Sequence, residues 1–196
     1  MGDKPLLSDA VAARLRDLAP NKRALLESRL LDQRARSLSG GTITRRSGTG
    51  PCPLSFSQEV IWLSEQMIPE PATYNVPIGL RLEGDLELSA LKKALDKIVE
   101  RHEVLRTVYV AKDGVPLQVV QQSRPVEWSS RDVSGASGAG SEVELKRICV
   151  EHARREFDLC SGPMIRAALL RLGPLDHLLL ITTHHICFDG WSKRVL

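Results

Sequence analysis

Two adjacent histidines, His184 and His185, followed four residues later by Asp189 and Gly190, are the part of this sequence best equipped for chemistry. Imidazole has an ordinary pKa of about 6.5, so it accepts or donates a proton near neutral pH. The pair follows an apolar run, residues 178–183, that reads as a strand. Neighbouring side chains of an extended segment point to opposite sides, so one histidine faces a cleft while the other turns into the protein. The cleft-facing ring can act on an amine. Asp189 can hold the loop by pairing with an arginine or by capping backbone N–H groups, and Gly190 allows a conformation or close backbone approach that a Cβ would block. Two other readings stand beside this one. The histidines can be an inert, hydrogen-bonded pair at a strand end, or metal ligands. No further ligand cluster lies near His184, His185 and Asp189, and His152 and His177 stand isolated, so no metal is expected.

The elements that must position this motif follow from periodicity. Ser55-Phe56-Ser57-Gln58 fits a capping box, and Val60, Ile61, Leu63 and Met67 form an apolar stripe, with Trp62 beside them, on a helix ending before Pro69. Residues 76–82 alternate as a strand does, and Leu88, Leu91, Leu95, Ile98 and Val99 recur at helical spacing as far as His102. Residues 104–110 and 116–120 read as strands bridged at Asp113-Gly114, a hairpin signal. A flexible break at 135–140 precedes a helix over about 142–157. Two apolar strands, 165–172 and 178–183, are then separated by a turn at Gly173-Pro174. The pattern is mixed α/β without simple alternation, which predicts helices packed on a mixed sheet.

Upstream, residues 1–36 read as a small helical leader, two short helices separated near Pro20, and residues 37–53 as a flexible linker rich in Ser, Gly, Thr and Pro. The main domain is expected over 54–196. At 196 residues, 42% of them hydrophobic and 26% charged, the chain has the composition of one globular domain. No run approaches the ~20 apolar residues of a membrane span, and the start lacks a secretory h-region, so a cytoplasmic protein is expected. Cys52, Cys149, Cys160 and Cys187 are too scattered for a zinc motif and read as buried or unpaired thiols. The basic stretch from Arg14 to Arg46 lacks interleaved aromatics, so a solvated face rather than nucleic-acid binding is expected.

The run Thr183-His184-His185-Ile186-Cys187-Phe188-Asp189-Gly190-Trp191-Ser192 resembles the HHxxxDGWS signature of condensation domains in nonribosomal peptide synthetases, relatives of chloramphenicol acetyltransferase. Two earlier segments agree. Residues 54–63 resemble the family's opening motif, SxAQxRLWxL, with Ser57 in place of Ala and Val60-Ile61 in place of Arg-Leu. Arg101-His102-Glu103-Val104-Leu105-Arg106-Thr107 is similar to its second motif, RHExLRT. Tyr74-Asn75-Val76-Pro77 resembles the stretch found where two L-configured residues are joined. Trp191-Ser192 argues for condensation over epimerization domains, and the intact His-His argues against cyclization domains.

The resemblance implies a chloramphenicol acetyltransferase-like lobe that joins a donor acyl or peptidyl thioester to an aminoacyl acceptor. Both substrates would be tethered to phosphopantetheine on carrier proteins, with an adenylation domain as a further partner and no cofactor bound directly. By that carry-over His185 orients or deprotonates the amine, His184 is an inward structural histidine, Asp189 fixes the loop and Gly190 permits close approach. Arg106 orders the site face through an ion pair or is architectural, and Trp62 and Trp191 are packing anchors. Family members have two lobes, so this chain is expected to be the N-terminal lobe with the C-terminal lobe missing, inactive alone. A non-catalytic docking module, or a small acetyltransferase-like enzyme completed by oligomerising, are the other readings.

Overall fold

A computed structural model describes residues 48, 50–67, 72–135 and 139–195, so the expected leader and the linker as far as residue 47 lie outside the described residues. Those described residues fold as one unit beginning at Gly48. Strand β1 (Cys52–Pro53) already belongs to it, pairing with β4 (Val115–Val120) two residues before the expected start. Helix α1 (Phe56–Glu65) starts where the capping box predicts. The Ser55 hydroxyl accepts from the Gln58 N–H at 3.3 Å, and the Gln58 carbonyl Oε1 accepts from the Ser55 N–H at 2.9 Å.

Strands β2 (Asn75–Glu83), β5 (Glu127–Asp132), β6 (Ile165–Gly173) and β7 (Asp176–His184) form a four-stranded sheet in the order β2-β7-β6-β5. Only β5 runs parallel to its neighbour, so the sheet is mixed, as the element pattern implies. Strand β3 (Thr107–Lys112), β4 and β1 make a second, three-stranded sheet. Asp113 and Gly114 link β3 to β4, both at positive φ (52° and 78°), which the tight hairpin turn requires.

The helices cover opposite faces of the larger sheet. Leu95 and Val99 of α2 (Leu88–Arg101) pack with Ile165, Ala167, Leu169, Leu179 and Ile181. Ile148 of α3 (Ala139–Arg154) packs with Ala168, Leu170 and Leu180, the alternate residues of the same two strands. Burial on both faces is why β6 and β7 read as continuous apolar runs rather than alternating ones.

Two expectations fail locally. Residues 103–106 are a 3-10 turn, not the start of a strand, and that turn buries Leu105 while the Thr107 hydroxyl donates to the Glu103 carbonyl at 2.8 Å. Strand β5 has no expected counterpart, because its sequence, Glu-Trp-Ser-Ser-Arg-Asp, is an exposed edge whose residues show no apolar alternation.

The C-terminal end of α3 is closed from below the sheet. Asn75 Nδ2 donates to the carbonyls of Ala153 (2.7 Å) and Arg155 (2.8 Å). The guanidinium of Arg166, 2% exposed, donates to the carbonyls of His152 and Arg155 and stacks 4.0 Å from the Phe157 ring centroid. These cations and amides satisfy carbonyls that a helix end leaves without partners. Burial brings the Arg166 pKa down to about 10, still fully charged near neutrality. No described helix is long and apolar enough to cross a membrane. Asn75→Ala removes two hydrogen bonds from carbonyls at the end of α3 and is expected to lower unfolding stability by about 1–2 kcal/mol, read as a lower urea midpoint at unchanged slope.

Candidate functional site at the end of strand β7

Strand β7 pairs with β2 in a register that sets Thr183 opposite Val76 and His184 opposite Asn75. The His185 N–H then donates to the Tyr74 carbonyl at 2.8 Å, carrying the pairing one residue past the strand. Extended geometry therefore persists through both histidines, and they diverge: His184 is 1% exposed, whereas His185 is open to solvent.

Each ring's proton is fixed by what its partners can do. A backbone N–H can only donate, so His184 Nδ1 accepts from Ile186 N at 3.2 Å. His184 Nε2 then carries the hydrogen and donates to Glu65 Oε1 at 3.1 Å. The ring lies between Tyr74 and Phe157, at 6.2 and 5.9 Å between centroids. Burial holds its pKa below the usual histidine value, with Glu65 opposing. In His185 the order is reversed. Its Nδ1–H donates to the Phe188 carbonyl at 2.8 Å, which leaves the unshared pair on Nε2.

His185 opens on a crevice of about 520 Å³ whose other side is formed by Ser57, Gln58 and Ile61 of α1 together with Val104 and Gln118. Gln58 also ties α1 to the histidine loop, donating from Nε2 to the Ile186 carbonyl and to the Tyr109 hydroxyl, both at 3.4 Å. Tyr109 is fully buried, which pushes its hydroxyl pKa well above the ordinary range. Burial pushes the Cys187 thiol up to about 12, and its Sγ–H donates to the His184 carbonyl at 3.2 Å. None of the four cysteines forms a disulfide.

The remaining motif residues sit close by. Asp189 takes the second of its two expected roles: Oδ1 accepts from the Ser192 N–H at 2.8 Å and the Ser192 hydroxyl at 2.7 Å, tethering the 3-10 turn Ser192–Arg194. These hydrogen bonds hold its carboxyl below the usual carboxylate range. Among the described residues it has no arginine partner. Among the described residues Gly190 meets nothing within 4 Å of where a Cβ would stand, and it has no left-handed φ. Trp191, expected as a packing anchor, is 75% exposed, with the Arg194 guanidinium 5.7 Å from its ring. Trp62 does pack, against the cluster of Tyr109 and Ile186.

Arg106 pairs with Glu103 at 3.7 Å and donates to the Gln121 carbonyl, fastening the end of β4 to the 3-10 turn, and it is not among the residues that line the crevice. The sequence reading missed Glu65, Tyr74 and Arg166 as neighbours of the histidines. A signal existed for Glu65 alone: it lies seven residues from Gln58, two helical turns along the same face. The described residues hold no group of three His, Cys, Asp or Glu side chains placed to bind a metal ion.

Residues 49–196 match the family model described as condensation domain. Phosphinothricin tripeptide synthetase PhsC of Streptomyces viridochromogenes is 39% identical over 183 residues, covering 93% of this chain and 17% of that protein. Cyclosporin synthetase simA of Tolypocladium inflatum is 43% identical over 148 residues, covering 76% of this chain and 1% of that protein. The starter condensation domain of rhizomide synthetase RzmA superposes with a TM-score of 0.67 at 23% identity, covering 74% of this chain and 35% of that one. The first condensation domain of the CDA synthetase gives 0.66 at 24%, covering 76% and 38%. The chain thus spans little more than a third of these solved domains and a smaller share of the synthetases.

One half-buried ring and one buried ring make stability depend on pH. His152, which shares a hydrogen bond with the Thr182 hydroxyl at 3.0 Å, has its pKa lowered from 6.5 to about 4 by burial and by nearby Arg166, and His184 is lowered too. Between pH 6.5 and about 4 the unfolded chain binds a proton at His152 that the native chain does not, so native stability is expected to fall as pH drops through that window. Thermal midpoints measured across it should decline, and less so in His152→Gln.

Proposed function

The chain belongs to the condensation-domain family, and on that premise we propose that it takes part in amide formation in nonribosomal peptide biosynthesis. The α-amine of a carrier-bound aminoacyl thioester attacks the carbonyl carbon of a donor acyl or peptidyl thioester on a second carrier. A C–N bond forms, the tetrahedral intermediate collapses, the C–S bond breaks and the departing thiolate takes up a proton. The observation that carries this reading is the orientation of His185, whose Nδ1–H is occupied by the Phe188 carbonyl so that Nε2 offers its unshared pair to the crevice.

Within that scheme His185 is the catalytic residue. Its Nε2 accepts a hydrogen bond from the attacking amine, holds the lone pair of that nitrogen toward the carbonyl and takes the proton as the C–N bond forms. Orientation supplies much of the acceleration, because an amine already attacks a thioester downhill. His184 acts from the interior and Asp189 from the flanking turn, each shaping the loop rather than touching substrate.

The substrates arrive on phosphopantetheine arms, whose amide groups need polar partners along the crevice. Ser55, Ser57 and Gln118 line it and supply them. The described unit is read as one lobe of a two-lobed domain, with the facing wall supplied by the second lobe. Carrier and adenylation domains are its partners, in a cytoplasmic synthetase.

His185→Ala is expected to lower amide formation by roughly 100-fold or more, with intact folding read from tryptophan fluorescence. The assay supplies loaded donor and acceptor carriers to the chain alone and to the chain combined with a condensation-domain second lobe. Turnover by His185→Ala at the unsubstituted rate would remove the catalytic role, and carrier binding without turnover in either format would favour a docking module.

A further inference from the structure

Glu65 has no part in the motifs that resemble the family, yet its half-buried carboxylate is set against the buried His184: Oε1 lies 3.1 Å from His184 Nε2, with 26% of the Glu65 side chain exposed and 2% of that of His184. A carboxylate offers acceptors only, so it dictates that the single hydrogen of a neutral His184 sits on Nε2. The bare Nδ1 must then be the acceptor that receives the Ile186 N–H. Two helical turns earlier on the same face, Gln58 Nε2 donates to the carbonyl of the same residue, Ile186. The backbone of Ile186 is thereby held at both its polar groups, on one side directly by α1 and on the other through His184.

The consequence reaches His185. The loop held at Ile186 is the one whose Phe188 carbonyl accepts from His185 Nδ1–H. We propose that Glu65 is a positioning residue that sets the proton of His185 on Nδ1, acting through His184 and the loop 185–188, and so keeps Nε2 bare toward the crevice. Free histidine prefers the opposite tautomer, with the hydrogen on Nε2, so this arrangement has to be imposed by the fold. Without the carboxylate, the buried His184 Nε2–H has no acceptor. If its hydrogen moves to Nδ1, two donors face each other at the Ile186 N–H, and the loop can no longer keep the Phe188 carbonyl over His185.

The catalytic importance of this device rests on the amide-forming reading, whereas the tautomers do not, and the two can fail separately. The test uses the intact chain with ¹⁵N-labelled histidine, whose ring-nitrogen correlations distinguish the tautomers by NMR. Unsubstituted protein is expected to show His184 protonated on Nε2 and His185 on Nδ1. Finding either ring in the other tautomer overturns the proposal without need of any variant. Glu65→Ala is expected to shift His185 several-fold toward Nε2–H, while Glu65→Gln, which keeps an acceptor oxygen of the same reach, holds Nδ1–H. A folded Glu65→Ala protein in which His185 stays on Nδ1 also overturns it. In the loaded-carrier assay the rate constant at saturating carriers should fall at least tenfold for Glu65→Ala, and less for Glu65→Gln, with little change in apparent KM. Tautomers that follow Glu65 in a protein forming no amide support the positioning and count against the functional reading.

Discussion

A neutral imidazole enclosed in protein must spend its one donor and its one acceptor on partners, or its burial is costly. His184 is that imidazole, and the surroundings of the site are arranged to satisfy it. Glu65 takes the hydrogen, the Ile186 amide fills the other nitrogen, and Tyr74 and Phe157 close the sides. Because successive side chains alternate along β7 and its one-residue extension, burying His184 obliges His185 to face outward. The exposed, chemically poised ring is thus a consequence of the satisfied, hidden one.

Helix α1 serves this arrangement at both ends. Its capping box orients Gln58, whose amide reaches the histidine loop and Tyr109, and its last residue, Glu65, reaches His184. The apolar residues between, Ile61 and Trp62, pack on the cluster that contains Tyr109 and Ile186. Capping, packing and ring pairing therefore agree on one placement of the helix, and that placement makes α1 a wall of the crevice. Beneath the sheet, Asn75 and Arg166 close α3 and hold Phe157 against His184. Asn75 belongs to the Tyr-Asn stretch that reads in sequence as a mark of substrate subtype, and its side chain is occupied with that helix end.

Resemblance to a motif and physical role part company at several positions. Among the described residues Gly190 has open space where a Cβ would stand and no left-handed φ, and Trp191 is largely in solvent. Asp189 meets a serine instead of an arginine. The opening motif's arginine position is held by Val60.

The sequence by itself determined the elements whose signals are local. The capping box at Ser55, the apolar stripe of α2, the Asp113-Gly114 turn and the apolar pair β6 and β7 are written within a few residues, because backbone geometry and turn chemistry act over that range. The alternation rule also required that one histidine turn inward. Which one did so was decided by tertiary structure: His184 found an acceptor in Glu65, 119 residues earlier in the chain, and no periodicity announces a partner at that separation. The polar edge strand β5 and the buried Arg166 were equally silent, since each is stable only against a neighbour that packing supplies, β6 for the one and the carbonyl end of α3 for the other.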